Sequence, residues 1–441
     1  MNQIPEREDA TVTPAQVAVA SMVGTVMEWY DFFLYVFVAA LVFGPLFFPS
    51  YSTEAGALAS FATLAVGYVS RPLGGVLCGH FGDRVGRKGM LIATLSLMGG
   101  ATFAIGLLPT YNSIGIWAPI LLTTCRFLQG VALGGEWGGA VLVAVEYAPS
   151  DRRGFFGGIV QTGATIGLAL ATAVLFAASY LLPKEAFLEW GWRVPFLVSI
   201  VMLISGLYIR LKITETPAFR KIQKEGAISK LPVRDVLRDH WKTVLCTALI
   251  YLAGINVPFY TVWGFLLYYG TAILKVDRSQ LLLGVVVINL VLTYVVVLGG
   301  RLSDVKGRSY PFALGFTVIT ALAFPFFWMV ETRDILWIWA AMLLLAGPFW
   351  LMWGAMPVYF AEVFPAQLRY TGISLGSQVA TIIGGFVPLF ATAMQPKFGT
   401  WPISAFLMTV EILGLIALMT LRRSLIQARS GASLQGVHMP A

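Results

Sequence analysis

The feature that most constrains this chain is the length of its apolar stretches. A helix needs about 20 apolar residues to cross a bilayer, and inside lipid every backbone polar group must find its partner within the protein. Twelve windows reach that length: 17–47, 57–79, 90–108, 115–145, 155–182, 192–211, 243–272, 281–302, 310–330, 335–360, 370–395 and 401–422. Only 12% of the 441 residues are charged, about half the share of a soluble domain. The pattern predicts an all-α integral membrane protein with twelve transmembrane helices.

A polar stretch from Lys212 to Lys242 divides the windows into six and six. The expected organisation is a tail over 1–16, a six-helix bundle over 17–211, a linker over 212–242, a second bundle over 243–422 and a polar, disordered tail over 423–441. Residues 1–14 lack the basic start, short apolar core and small-residue cleavage site of a signal peptide, so none is read there. Of the 30 Lys and Arg residues, 22 lie in segments on one side of the array and six on the other, with Arg71 and Arg126 inside helices. The bias places both termini and the linker in the cytoplasm, in a multi-pass protein of the cell's inner membrane. The net charge of +8 then belongs to loops facing lipid headgroups; nucleic acid is not an expected partner. Cys78, Cys125 and Cys246, like the three histidines, lack metal-ligand spacing, so no disulfide, metal or cofactor is expected.

The chain also repeats itself. "G-H-F-G-D-R-V-G-R-K" (79–88) and "G-R-L-S-D-V-K-G-R-S" (300–309) share G-x-x-x-D-x-x-G-R, and "E-Y-A-P" (146–149) is matched by "E-V-F-P" (362–365). Two parallel six-helix repeats imply a cavity at their interface, near the bilayer midplane. The doubled loop resembles the signature of the major facilitator superfamily. "E-W-Y-D-F" (28–32), "R-P-L-G-G" (71–75), "G-G-E-W-G-G" (134–139), "W-G-W-R-V-P-F" (190–196) and "E-T-P-A-F" (215–219) resemble the metabolite:proton symporter family within it. The resemblance implies two pseudo-symmetric bundles and alternating access. It also implies proton-coupled import of a small organic anion, such as shikimate, α-ketoglutarate or citrate, by a functional monomer. Uptake of a zwitterionic osmolyte of the proline or betaine type is the alternative, and a non-symport facilitator or channel a further one. No G-x-x-x-x-G-K-[ST] motif argues for ATP drive, and no nucleophile–base cluster argues for an enzyme.

Charges inside apolar windows are costly and mark function by default. Glu28 and Asp31 are i,i+3 neighbours and share a side of the first helix. At a rise of about 1.5 Å per residue, Arg71 and Arg126 can reach their level, while Glu136 falls near the cytoplasmic edge. A carboxylate held between a like charge and an arginine can take up and release a proton. Asp31, Arg126, Glu28 and Glu136 are therefore the candidate proton-coupling set. Family resemblance favours Asp31 with Arg126 as the coupling pair, because "R-F-L-Q-G-V-A-L-G-G" (126–135) is similar to the fourth-helix segment of sugar:proton carriers. Glu411 is a further intramembrane charge.

Arg71 then remains to bind a substrate carboxylate through two hydrogen bonds, or alternatively to brace helices against Glu28. Gln161, Tyr260, Trp353 and Gln378 are further candidate substrate residues, although most aromatic stripes are packing. Pro258, Gly347-Pro348 and Gly354 mark places where helices can bend. In the loops, Gly79 allows close helix approach and Gly86 a tight turn. Asp83 suits a helix N-terminus of the other half. Arg84 and Arg87 complete the first gating loop; Asp304, Gly307 and Arg308 form the second. Anchoring by the positive-inside rule is the plainer reading of these cations. Val305 replaces an Arg common in the family, which predicts a weaker second contact, with Lys306 as substitute.

Overall fold

The computed structural model describes residues 13–49, 53–212 and 215–434. Twelve helical segments follow the twelve windows: α1 Pro14–Val38, α2 Thr53–Val85, α3 Arg87–Leu107, α4 Trp117–Tyr147, α5 Arg153–Ala178, α6 Phe187–Leu211, α7 Trp241–Ile273, α8 Arg278–Lys306, α9 Tyr310–Leu322 with Pro325–Glu331, α10 Ile335–Val363, α11 Ala366–Phe398 and α12 Trp401–Leu434. No strand occurs among the described residues. Ten of the segments are long and apolar enough to cross a membrane, and α9, bent by 50° at the break before Pro325, makes an eleventh if its parts form one span. The departure from the expected twelve is α2. It is one helix of 33 residues, but its sequence is rich in Gly, Ala and Ser and carries Arg71, His80, Asp83 and Arg84.

Helix ends depart from the windows for local reasons. α1 starts earlier than expected because Thr13 and Gln16 form a reciprocal capping box before Pro14. Residues 1–12 and 435–441 lie outside the described residues. Between Arg423 and Leu434, where a disordered tail was expected, α12 continues as helix. The linker folds into two short helices, Pro217–Lys224 and Pro232–Asp239, the first capped by the Thr216 side chain.

The same pairings recur in each half. α2 packs on α4 and α8 on α10; α1 packs on α5 and α7 on α11; α3 packs on α6 and α9 on α12. Lipid is as apolar as leucine, so close packing rather than water exclusion must drive these contacts. Equivalent glycines make the closest approaches. A Cβ at Gly134 would lie 1.9 Å from the Arg71 carbonyl oxygen, and one at Gly354 1.8 Å from that of Val296. Gly354 was expected to bend α10; it serves helix contact instead, and α10 stays continuous through Pro348 and Pro357. Around Pro258, α7 likewise stays helical, but three π-helical turns, Leu252–Asn256, Tyr260–Phe265 and Tyr269–Ile273, take up the distortion. Such bulges recur at functional sites.

The halves meet through α2 against α11 and α5 against α8. The "W-G-W-R-V-P-F" stretch closes one end of the first half. Trp192 packs edge-on with Phe43, Phe47 and Phe196, and Phe196 stacks on Phe43. Arg193 donates to the Gly106 and Leu108 carbonyls at the end of α3.

Candidate functional site

A narrow cavity of about 40 Å³ lies between the halves, lined from the first by Glu28, Trp29, Phe32 and Arg71 and from the second by Tyr251, Asn256, Phe259, Tyr260, Trp353 and Thr381 among others. That is room for a few waters, so the site is nearly shut. On the side away from the linker, the Tyr260 hydroxyl donates to that of Tyr68 across the halves at 2.8 Å. Beneath it the Arg71 guanidinium sits 5.4 Å from the Tyr68 ring centroid and 5.9 Å from that of Phe32. On the linker side, Trp353 stacks on Trp137 of the first half, with centroids 5.7 Å apart and planes at 20°. Gln161 pins this stack: its Oε1 accepts from Trp137 Nε1 at 3.1 Å and its backbone carbonyl from Trp353 Nε1 at 3.3 Å.

Three of the five expected substrate residues, Arg71, Tyr260 and Trp353, thus line the cavity. Gln161 does not; it is fully buried behind Trp353. Gln378 is also outside the lining, with its Nε2 on Ser377 and its Oε1 lacking a hydrogen bond. Arg71 Nε and Glu28 Oε2 lack hydrogen-bond partners, and the two residues form no ion pair within 4 Å among the described residues. The brace expected as an alternative is therefore not made. The sequence reading passed over Tyr68, Trp137 and Asn256 as site residues and left Tyr251 among the packing aromatics of the seventh helix. Tyr68 had a readable signal, since it lies one turn from Arg71 at i,i+3.

Asp31 and Arg126 were expected to pair directly. Both are buried, but two side chains stand between them. Asp31 Oδ2 accepts from the Thr102 hydroxyl at 2.6 Å, Thr102 accepts from Gln129 Nε2 at 2.7 Å, and Gln129 Oε1 accepts from Arg126 at 3.2 Å. The Arg126 guanidinium also lies 4.4 Å from the centroid of the Tyr35 ring. Unlike Glu28, Asp31 is not part of the cavity wall.

Glu136 does not join this group. It pairs with Arg210 of α6 and accepts from the Thr94 hydroxyl at 2.5 Å. Arg210, read from sequence as a loop cation, is 3% exposed. The Glu136–Arg210 pair braces α4 to α6, away from Asp31 and Arg126. Glu411 is fully buried in α12, and neither of its carboxylate oxygens has a hydrogen-bond partner.

The repeated loops form matching contacts across the halves. Asp83 accepts from the Tyr370 and Thr371 amides at 3.3 and 2.9 Å. Asp304 accepts from the Gly154 and Phe155 amides, both at 2.8 Å. Each carboxylate therefore caps the first turn of a helix in the opposite half, where the helix dipole favours negative charge. Gly79 permits the approach, since a Cβ there would lie 2.8 Å from Thr371 Cα, and Gly86 and Gly307 turn the loops at φ of +125° and +98°. Arg87 pairs with Glu146 and donates to Ala366 O at 3.1 Å, and Arg369 reaches Glu146 from the other half at 3.1 Å.

In the second loop, Arg308 pairs with Asp304 and Glu362. Burial pulls the Arg308 guanidinium down, but Glu362 and Asp304 outweigh it and hold it above its usual value. The second contact is no looser than the first. Val305 is exposed and Lys306 sits by Tyr310, so neither takes part. Arg84 also stands apart, beside His80 on the exposed face of α2. The linker joins the first loop instead: Thr216 accepts from Arg87 at 3.0 Å and Glu215 from the Lys88 amide at 3.1 Å. "E-T-P-A-F" thus fastens linker to loop.

Two six-helix repeats around a nearly shut central cavity, clasped by paired loops, define a membrane transporter. Residues 21–388 match the Major Facilitator Superfamily, and the chain belongs to that superfamily; it is a transporter and not an enzyme. It is 40% identical to the shikimate transporter of Escherichia coli over 391 residues, 88% of this chain and 89% of the relative. It is 33% identical to the proline/betaine transporter of Salmonella typhimurium over 425 residues, 94% and 84% of the two chains. Its fold matches the proton:xylose symporter XylE of E. coli with a TM-score of 0.72 at 15% identity, over 93% of this chain and 95% of that one.

Proposed function

We propose that the protein imports a small organic anion together with protons. One observation carries this reading: an arginine, Arg71, stands in the wall of the cavity between the halves with Nε unbonded and two aromatic rings beside it. A planar guanidinium so placed suits a carboxylate. Asp31 is the proton carrier in this scheme, shielded from the cavity yet in the same helix as Glu28. The bundles over 17–211 and 243–422 rock about the cavity, with both termini and the linker in the cytoplasm and one chain as the working unit. Uptake in proteoliposomes under a pH gradient tests it. Labelled shikimate, α-ketoglutarate or citrate is expected to accumulate, and collapse of the gradient to stop it. If betaine or proline competes best and none of the acids competes, the anion reading fails.

The cavity's aromatic wall supports a second reading. Trp29, Phe32, Tyr251, Phe259, Tyr260 and Trp353 beside Glu28 could hold an ammonium group through cation–π contacts while Arg71 holds a carboxylate. That combination fits a zwitterion, and the same competition assay separates the two.

The loop contacts serve as gates in this reading. A hydrogen bond to a charged group contributes about 1.5–3 kcal/mol, and one between neutral groups roughly 1 kcal/mol. Asp83→Asn therefore weakens its clasp by about 1–2 kcal/mol, roughly five- to thirtyfold in the balance of access states. Maximal transport rate is expected to fall by that order, with substrate affinity held within about twofold. Asp304→Asn is expected to match it, because its two contacts are at least as short. Unchanged turnover in both variants would reduce the loops to topology signals.

A further inference from the structure

We propose that Thr102 and Gln129 are positioning residues for proton coupling: they link Arg126 to Asp31 as a one-way chain of hydrogen bonds, and the Thr102 hydroxyl turns between two acceptors as Asp31 loses and gains its proton. The inference rests on the reading of Asp31 as proton carrier.

The direction of the chain follows from what each group can do. Arginine only donates. The Gln129 atom that meets Arg126, 3.2 Å away, must therefore be its carbonyl oxygen. Its amide nitrogen is then the atom 2.7 Å from the Thr102 oxygen, and it donates there. Thr102 has one proton left to give. Two acceptors lie within reach of it: Asp31 Oδ2 at 2.6 Å and the Met98 carbonyl, one turn back on α3, at 3.0 Å.

When Asp31 is a carboxylate, the charged acceptor takes the hydroxyl proton, since a charge-assisted bond is the stronger. When a proton arrives on Oδ2, that oxygen becomes a donor. The Thr102 oxygen has a second lone pair to accept it, and the hydroxyl proton turns to the Met98 carbonyl. One proton is added to Asp31 and no covalent bond at Thr102 changes. The heavy atoms stay in place, so Asp31 Oδ2 has a partner in both protonation states and Arg126 keeps its own in both. Asp31 is 2% exposed, Thr102 0% and Gln129 1%, so no solvent competes for these bonds. The same low-dielectric setting makes each link strengthen the next.

The test uses the full-length protein in proteoliposomes, with two assays on each variant: accumulation of labelled substrate under a pH gradient, and exchange of substrate at equal concentrations without one. Thr102→Val keeps the side-chain shape and removes the hydroxyl. Accumulation is expected to fall about tenfold, in line with one lost bond to a charged group, with exchange within about twofold of the wild type. Thr102→Ser restores the hydroxyl and is expected to restore accumulation. Gln129→Glu puts an acceptor where Thr102 receives its bond and draws the hydroxyl away from Asp31; it is expected to behave like Thr102→Val. Retained exchange shows that each variant is folded. The proposal is overturned if the wild type is pH-driven and Asp31→Asn is not, yet Thr102→Val accumulates normally. It is also overturned if Thr102→Ser fails to rescue. If the wild type itself shows no pH-driven accumulation, the symport reading fails instead, at a step that precedes the variants.

Discussion

Asp31→Asn is expected to abolish uphill uptake driven by a pH gradient while leaving substrate exchange intact. Each unit of pH gradient is worth about 1.4 kcal/mol per proton carried, or roughly a tenfold accumulation. A variant that carries no proton accumulates nothing beyond the outside concentration. The asparagine keeps the shape of the side chain and can still accept from Thr102, whose donor lies 2.6 Å away, so packing among α1, α3 and α4 is preserved. Exchange needs no net proton movement and should continue. Glu28→Gln is expected to be milder, because Glu28 faces the cavity and is separate from the Thr102–Gln129 chain. The opposite ranking would move the proton site to Glu28. Loss of exchange along with uptake would assign Asp31 to substrate binding or to folding.

The sequence made the helical array legible because crossing lipid imposes a length that few other constraints mimic. It made the clasps legible too: Asp83 and Asp304 stand at matching places in two repeats, and each was found on the helix start that its charge suits. What stayed hidden has a common cause. Arg210 read as a loop cation because it lies at the polar end of an apolar window, and only packing shows that α6 carries it inward to Glu136. Thr102 gave no signal, since a threonine in an apolar helix ordinarily bonds its own preceding turn, and it does so here as well. Asp31 and Arg126 share a level, but level along a helix says nothing of azimuth. A side-chain pair that looks direct in projection is separated by two residues from α3 and α4. Gln161 was read as a polar group awaiting substrate, whereas its side chain already accepts from the Trp137 indole and donates to the Trp353 carbonyl. Polar residues in lipid reveal that they have partners; their spacing does not reveal which.

Arg71 carries the second large effect. Arg71→Ala is expected to weaken substrate binding by about 1.5–3 kcal/mol, the worth of hydrogen bonds to a charged group. That is roughly ten- to hundredfold in affinity, read as the substrate concentration for half-maximal exchange. Arg71→Lys keeps the charge but loses the planar fork, and it is expected to recover part of the affinity. The contrast separates recognition from packing. A brace between helices would make both variants unstable without changing the preference among substrates, and the structure gives Arg71 no ion-pair partner within 4 Å among the described residues for such a brace. A site that binds carboxylates through Arg71 instead predicts a change in ranking. Esters or amides of the transported acid, excluded by the wild type, should close the gap on the acid itself in Arg71→Ala, because the lost interaction is specific to the charged oxygen pair. Measured by competition against labelled substrate, an unchanged ranking with unchanged affinity would remove Arg71 from the binding site and leave the rings of Tyr68, Tyr260 and Trp353 as the principal recognition surface.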